Sequence, residues 1–179
     1  MAQGGDVAAF EVLVGRYRRR AFVVALGYLT SREDALDAVQ DAFLHSFRGI
    51  HTFDLTRPFY PWFYRILKNL CISRIRRRYR AKEVSLDRRE EGDRAWELPD
   101  FRFTPDGGVL KGELRSRLKA AFSELKPNDR EILILQHFQD CSYKEIAEIL
   151  DIPIGTVMSR LFHARKRLEE KIRGYLKPD

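Results

Sequence analysis

Ser142 and Glu145 stand three residues apart at the head of SYKEIAEILDIPIGTVMSRLFHARKRL, residues 142–168, and this stretch narrows the fold more than any other. A serine followed three residues later by a glutamate forms a capping box, in which each side chain takes up a backbone donor left over at a helix start. Ile146, Ala147, Ile149 and Leu150 then recur at helical steps, and Ala147 is small enough to admit a close crossing. The DIPIG turn leads into a second amphipathic run with Val157, Leu161, Ala164 and Leu168 on its inner side. Met158, Ser159, Arg160, Phe162, His163, Arg165, Lys166 and Arg167 are left outside. Two short helices about a tight turn make a helix-turn-helix pattern. Crossed helices are common without any nucleic-acid role; what points to one here is that only the second helix is loaded with Arg and Lys.

The rest of the chain is periodic in the same way. Residues 6–28 read as a helix with Asp6 as N-cap, a stripe of Phe10, Leu13, Val14 and Tyr17, and an end at Gly27 and Tyr28-Leu29-Thr30. Thr30 with Glu33, or Ser31 with Asp34, opens a second helix whose Leu36, Val39, Phe43, Phe47 and Ile50 form a buried face. Asp37, Gln40, Asp41 and Leu44 lie on a neighbouring acidic face with one apolar tip, which suits either plain solvation or a basic helical partner. Pro58 and Pro61 break the pattern after Gly49, and a third helix is expected from about Pro61 to Arg80. Its core side is Phe63, Ile66, Leu67, Leu70 and Ile75; its other side carries Arg65, Lys68 and Asn69. Residues 83–106 hold eight acidic and four basic side chains with little periodicity, so they read as a linker closed by Gly107-Gly108. Beyond it, Leu110, Leu114, Leu118, Phe122 and Leu125 form a stripe that stops at Pro127, Asn128-Asp129-Arg130 opens another helix, and Asp140 ends it. The expected class is all-α: two small helical domains, residues 1–82 and 110–179, joined by a flexible linker at 83–109.

Between Phe53 and Lys82 the chain sets Phe53, Phe59, Tyr60, Trp62, Phe63 and Tyr64 ahead of Arg74, Arg76, Arg77, Arg78, Arg80 and Lys82. Rings that stack on unpaired bases and cations that follow phosphates are the two needs of a single-strand binding surface; helical core beside a solvated face is the alternative. A net charge of +7 agrees with a polyanionic partner. The longest apolar run, Ala21–Leu29, is too short to cross a bilayer, and no export signal opens the chain, so a cytoplasmic, nucleoid-associated protein is expected. Cys71 and Cys141 are in no CxxC pattern and read as small buried residues of a reducing compartment. The four histidines show no ligand spacing with them, so neither a metal nor another cofactor is expected. No carboxylate cluster or nucleophile–base pair marks an enzyme.

Taken together, DALDAVQDAFLHSF, RPFYPWFYRILKNLCISRIRRR and LKPNDREILILQHFQDCSYKEIAEILDIPIGTVMSRLFHARKRL resemble the extracytoplasmic-function (ECF, group IV) sigma factors, the two-domain members of the bacterial sigma-70 family. The match covers nearly the whole chain except the linker. The resemblance implies a region 2 helical bundle and a region 4 helix-turn-helix. It also implies that Asp37, Gln40, Asp41 and Leu44 dock on the clamp of RNA polymerase. Gly49, Phe53 and Asn69 match the pocket for a base flipped from the minus-ten element, with Trp62 supporting that loop. Arg74, Arg76, Arg77 and Arg78 would hold phosphates nearby, and Arg65 and Lys68 extend that surface. Ser159, Arg160, Phe162, His163 and Arg165 match the minus-thirty-five readers, flanked by Thr156, Met158 and Lys166. Met158 and His163 depart from the family, which often has arginine there, and neither can grip guanine as arginine does. Cys141 stands where leucine is frequent. An anti-sigma factor is a further implied partner, and an acidic linker would thread toward the polymerase channel.

Magnitudes decide between a subunit and a free-standing melting protein. Duplex stacking is worth about 1.4 kcal/mol per step, and capturing one flipped base returns roughly 1–3 kcal/mol. One or two captured bases nucleate an opening and cannot hold a bubble, so a large partner must supply the rest. A stand-alone helix-turn-helix regulator would leave the first 80 residues unexplained. A decoy that sequesters an anti-sigma factor would not need Asn69 or the arginines after it.

Overall fold

The computed structural model describes residues 6–29, 31–84 and 112–176. All the regular structure among them is helical: α1 (Val7–Leu29), α2 (Arg32–Gly49), a 3-10 turn (Ile50–Thr52), α3 (Phe59–Val84), α4 (Gly112–Ser123), α5 (Pro127–His137), α6 (Tyr143–Leu150) and α7 (Ile154–Leu176). The expected linker beyond Val84, with Gly107-Gly108, and the side chains of Lys82, Leu110 and Leu114 lie outside the described residues.

Local chemistry sets the helix ends. Asp6 accepts from the Ala9 N–H at 3.2 Å, and the Ser31 side chain accepts from Asp34 N–H at 3.4 Å, as helix N-caps do. α3 begins at Phe59, two residues before Pro61, which sits in its first turn where its missing N–H is harmless. α5 likewise takes Pro127 into its first turn and so begins one residue before the expected opening at Asn128. Asp140 adopts the left-handed conformation expected of it, and Asp151 does the same at the end of α6.

In the first half α1, α2 and α3 pack pairwise. Phe10 meets Phe43 and Phe47 edge-on, Phe43 stacks on Phe63 with centroids 4.5 Å apart, and Tyr17 stacks on both Phe59 and Tyr60. Such pairs add about 0.5–1.5 kcal/mol beyond their buried area. The ring row is therefore largely core: Phe53, Tyr60, Phe63 and Tyr64 are all buried, and only Phe59 and Trp62 keep partial exposure. Leu36 corrects the expected buried face in the other direction. It is 49% exposed, because it falls on the stripe of Gln40 and Leu44, four residues apart, and not on that of Val39 and Phe43.

In the second half α7 packs on α4, α5 and α6. The inner sides expected for α6 and α7 hold: Ile146, Ile149, Val157, Leu161 and Ala164 are buried, while Ala147, Leu150 and Leu168 are half-buried. The halves also meet. α1 lies on α5 and α3 on α6, so one buried apolar cluster runs through both. At Gly27 of α1 an added Cβ would collide with Ile134 Cδ1 of α5, and it would meet no other residue so closely. The glycine lets the two helices approach.

Candidate nucleic-acid interface

Four surfaces carry the residues singled out by the sequence. On α2, Asp37, Gln40 and Leu44 are exposed and Asp41 is half-buried, with Leu36 beside them. Leu36 was legible as a member of this face from its spacing to Gln40 and Leu44. The carboxylates do not stand alone. Arg74 of α3 reaches Asp41 at 2.5 Å and Asp37 at 4.0 Å, and Arg78 reaches Asp34 at 3.7 Å. Part-exposed pairs of this kind each contribute about 0–1 kcal/mol. Their consequence is positional: an acidic helix face and a basic one share a seam.

The second surface is the turn between α2 and α3. Phe53 follows the 3-10 turn and packs edge-on against Phe59 at 5.8 Å and tilted against Trp62 at 5.0 Å. Gly49 lies beside Trp62, but a Cβ there would sit 3.9 Å from Trp62 Cζ2, an ordinary contact. Its backbone angles require no glycine either. Asp54 accepts from the N–H and hydroxyl of Thr56 at 3.0 and 2.7 Å, which fixes the loop and holds its carboxyl below the usual range. Leu55 is exposed at this loop, an apolar tip that sequence patterning did not single out.

The third surface is the outward side of α3. Trp62, Arg65 and Asn69 fall on one face by their spacing, with Arg65 and Asn69 exposed and Trp62 half-buried. Arg76, Arg77, Arg78 and Arg80 continue the exposed cationic run. Lys68 and Arg65 are bound by the second half: Lys68 Nζ is 2.9 and 3.1 Å from the two oxygens of Glu131, and Arg65 is 3.5 Å from Asp151.

The fourth is α7. The capping box sets the angle of α6: Ser142 N–H donates to Glu145 Oε2 at 2.8 Å, and Glu145 N–H donates to Ser142 Oγ at 3.3 Å. These bonds hold the Glu145 carboxyl below its ordinary range. At the far end, Ile152 N–H donates to Ala147 C=O at 3.1 Å past the left-handed Asp151, closing the turn before α7. Met158, Ser159, Arg160, Phe162, His163, Arg165 and Lys166 are then exposed together, Phe162 at 64%, with Thr156 half-buried at the start. A bulky ring and a thioether in water beside cations fit a surface that meets apolar base edges and phosphates. Arg167 is turned aside to Asp129 at 2.8 Å. An apolar groove of about 540 Å³, lined by Leu118, Phe122, Leu133, Phe138, Leu168 and Ile172, runs beside Arg165 and His137. Burial first, and Arg165 second, push the His137 imidazole down.

Cys71 and Cys141 are both buried thiols; burial pushes Cys71 up to about 12 and raises Cys141 as well. Among the described residues no group of side chains is arranged to hold a metal ion, and no helix is long and apolar enough to cross a membrane.

This arrangement matches known proteins along nearly its whole length. Residues 13–81 match sigma-70 region 2, and residues 115–168 match sigma-70 region 4. The chain is 34% identical over 173 residues to the ECF RNA polymerase sigma-E factor of Haemophilus influenzae, covering 95% of this chain and 90% of that protein. It is 32% identical over 179 residues to the ECF RNA polymerase sigma-E factor of Escherichia coli K12, covering 98% and 92%. It is 30% identical over 180 residues to the RNA polymerase sigma-H factor of Pseudomonas aeruginosa, again covering 98% and 92%. Among solved structures it is similar to the Bartonella quintana sigma factor RpoE in complex with the anti-sigma factor NepR, with a TM-score of 0.73, 25% identity, and coverage of 92% and 97%. CnrH in complex with the cytosolic domain of CnrY shares the fold at a TM-score of 0.67 and 24% identity, with coverage of 97% and 93%. The chain belongs to the sigma-70 family: it is a sigma factor, with region 2 built on α1–α3 and region 4 on α4–α7.

Proposed function

We propose that this sigma factor, of the ECF (group IV) class, binds core RNA polymerase through the α2 face and opens promoter DNA with the α2–α3 turn and α3. It reads the upstream element with α7. Asp37, Gln40, Asp41 and Leu44, joined by Leu36, form the docking face. Asn69, with Trp62 and the Phe53 turn, receives an unstacked base, and Arg76, Arg77 and Arg78 hold phosphates. Thr156, Met158, Ser159, Arg160, Phe162, His163, Arg165 and Lys166 meet the duplex. The functional units are residues 1–82 and 110–179, with 83–109 between them. The protein acts in the cytoplasm at the nucleoid, under an anti-sigma factor of the kind that the Bartonella relative binds.

The observation that carries this reading is the co-exposure of Met158, Phe162, His163 and four polar or cationic neighbours on one helix, in a chain whose other half displays an acidic face seamed to an arginine-rich one. The burial of Phe53 changes its role. It shapes the turn through ring packing, and its removal would cost about 3–5 kcal/mol as a core truncation, so Asn69 is the residue that isolates base capture. Run-off transcription on genomic promoter fragments tests the reading. Core polymerase with this protein should yield discrete transcripts that core polymerase alone does not, and an unchanged transcript pattern would defeat it.

A further inference from the structure

The outer side of α7 sorts its residues by angle. Val157, Leu161 and Ala164 are fully buried and fix which way the helix faces the core. At ~100° per residue, the line opposite those three runs through Ser159 and Lys166, with Phe162 about 50° to one side and His163 about 50° to the other. Arg165 and Arg160 fall on opposite flanks, each about 110° from that line. Met158 lies on the Arg165 flank, one turn before Phe162.

A recognition helix in the major groove turns its middle line to base edges and its flanks to the two sugar–phosphate walls. Arg160 and Arg165 are therefore placed for phosphates, one on each wall. Lys166 shares the middle line, but it stands seven residues after Ser159, about 10 Å further along the axis. Base edges are met by the first turns of such a helix, so Lys166 is left to the backbone.

The chemistry that remains over the bases is apolar or accepting. Phe162 is 64% exposed and Met158 55% exposed, so neither is held in the core. The Phe162 and His163 rings meet edge-on with centroids 5.3 Å apart, which braces the phenyl ring over the groove side. Ser159 donates its hydroxyl to the Thr156 C=O at 3.1 Å. With that proton committed, its oxygen faces outward as an acceptor, which suits the amino group of adenine or cytosine and not O6 or N7 of guanine. The imidazole of His163 lacks the two-pronged donor fork that grips guanine. In the major groove the apolar feature of a base pair is the 5-methyl group of thymine.

We propose that this chain reads its upstream element through thymine methyl groups, with Phe162 and Met158 as the contacts. Ser159 accepts from an adenine or cytosine amino group beside them, and Arg160 and Arg165 grip the backbone without reading sequence. The preferred duplex carries thymine against Phe162 and needs no guanine at the steps covered by Met158, Ser159 and Phe162. The proposal rests on the assignment of α7 to the minus-thirty-five DNA and supplies the sequence class that this face selects.

Selection on a random-sequence duplex pool, long enough for both promoter elements, is run with core polymerase alone and with core polymerase plus the full chain. Duplexes retained only with the chain should share an upstream block with thymine at fixed positions. Rebuilding that block with deoxyuridine removes the methyl groups and nothing else. Affinity of the complex should fall about three- to fivefold per contacted methyl, the scale of burying one carbon. Phe162→Ala should bind the thymine duplex more weakly and lose most of its response to deoxyuridine. Met158→Ala should show the same blunting at smaller size. Both side chains are exposed, so neither change removes core packing, and circular dichroism should show wild-type helix content. Arg160→Ala with Arg165→Ala should weaken binding yet keep the full deoxyuridine penalty, a split that a merely structural role for Phe162 would not produce. A selected block whose strongest positions are guanine, or a deoxyuridine duplex bound as tightly as the thymine one, would overturn the proposal and leave the chain a promoter-reading subunit. A pool in which the chain enriches nothing beyond core polymerase alone would overturn the proposal and the assignment of α7 together.

Discussion

The molecule carries two cationic helices, and they differ in what their charges are doing. On α3, Arg65, Lys68, Arg74 and Arg78 each reach a carboxylate: Asp151, Glu131, Asp41 with Asp37, and Asp34. On α7, Arg160, Arg165 and Lys166 are exposed and form no ion pair among the described residues, while the cations that do pair, Arg167, Lys171 and Arg173, lie beyond or beside the reading face. A helix with open cations is ready for duplex phosphates. On α3 those four cations are answered, while Arg76 and Arg77 are exposed and form no ion pair among the described residues. The contrast agrees with the proposed division, in which α7 meets the duplex and the paired cations of α3 serve strand capture only once released.

The sharpest way to break the contrast is to remove the acidic side of the seam. Asp37→Arg with Asp41→Arg should lower core polymerase affinity by about a hundredfold, as like charges replace opposite ones across an interface, and a native-gel titration would show it. The helix content of that variant should be unchanged, since both positions lie on the outer side of α2. Next in size, Arg160→Ala with Arg165→Ala should weaken duplex binding at least tenfold and reduce the salt slope by about two counterions, read by fluorescence anisotropy across a salt series. Asn69→Ala should lower promoter opening severalfold while leaving polymerase affinity intact; loss of both would make Asn69 structural.

Smaller effects probe the frame that holds α7. Ser142→Ala removes one arm of the capping box and should cost about 1 kcal/mol, seen as a shift in the urea midpoint. His137 sharpens the other end of the scale. Its folded pKa is depressed, so the unfolded chain takes up the proton first. The contribution is therefore complete above the unfolded value of about 6.5 and shrinks as pH falls through it. Thermal melts at pH 5 and pH 8 should differ less in His137→Gln than in the wild type.

Most of the helical frame was legible because it depends on neighbours in sequence. The capping box at Ser142, the inner sides of α6 and α7, and the exposed outer face of α7 follow from spacings of three and four residues, and the left-handed Asp140 from the tolerance of its own side chain for that conformation. What was not legible depends on packing between distant segments. Tyr60 and Tyr64 read as possible stacking rings, yet they are covered partly by α5 and the residues after it, through Glu131 and Gln139 some seventy positions away. Lys68 looked like a free phosphate ligand for the same reason. Leu36 was misplaced by a subtler effect: on a helix with apolar residues on two adjacent stripes, periodicity alone does not say which stripe faces the core.

Permanganate reactivity of unpaired thymines on a promoter fragment tests the central claim most directly, because that claim divides DNA opening between this chain and its polymerase. Reactive thymines near the start site should appear only when the protein and core polymerase are both present, and should fade in Asn69→Ala. Thymines made reactive by the protein alone, or left unreactive by the complete holoenzyme, would contradict the account.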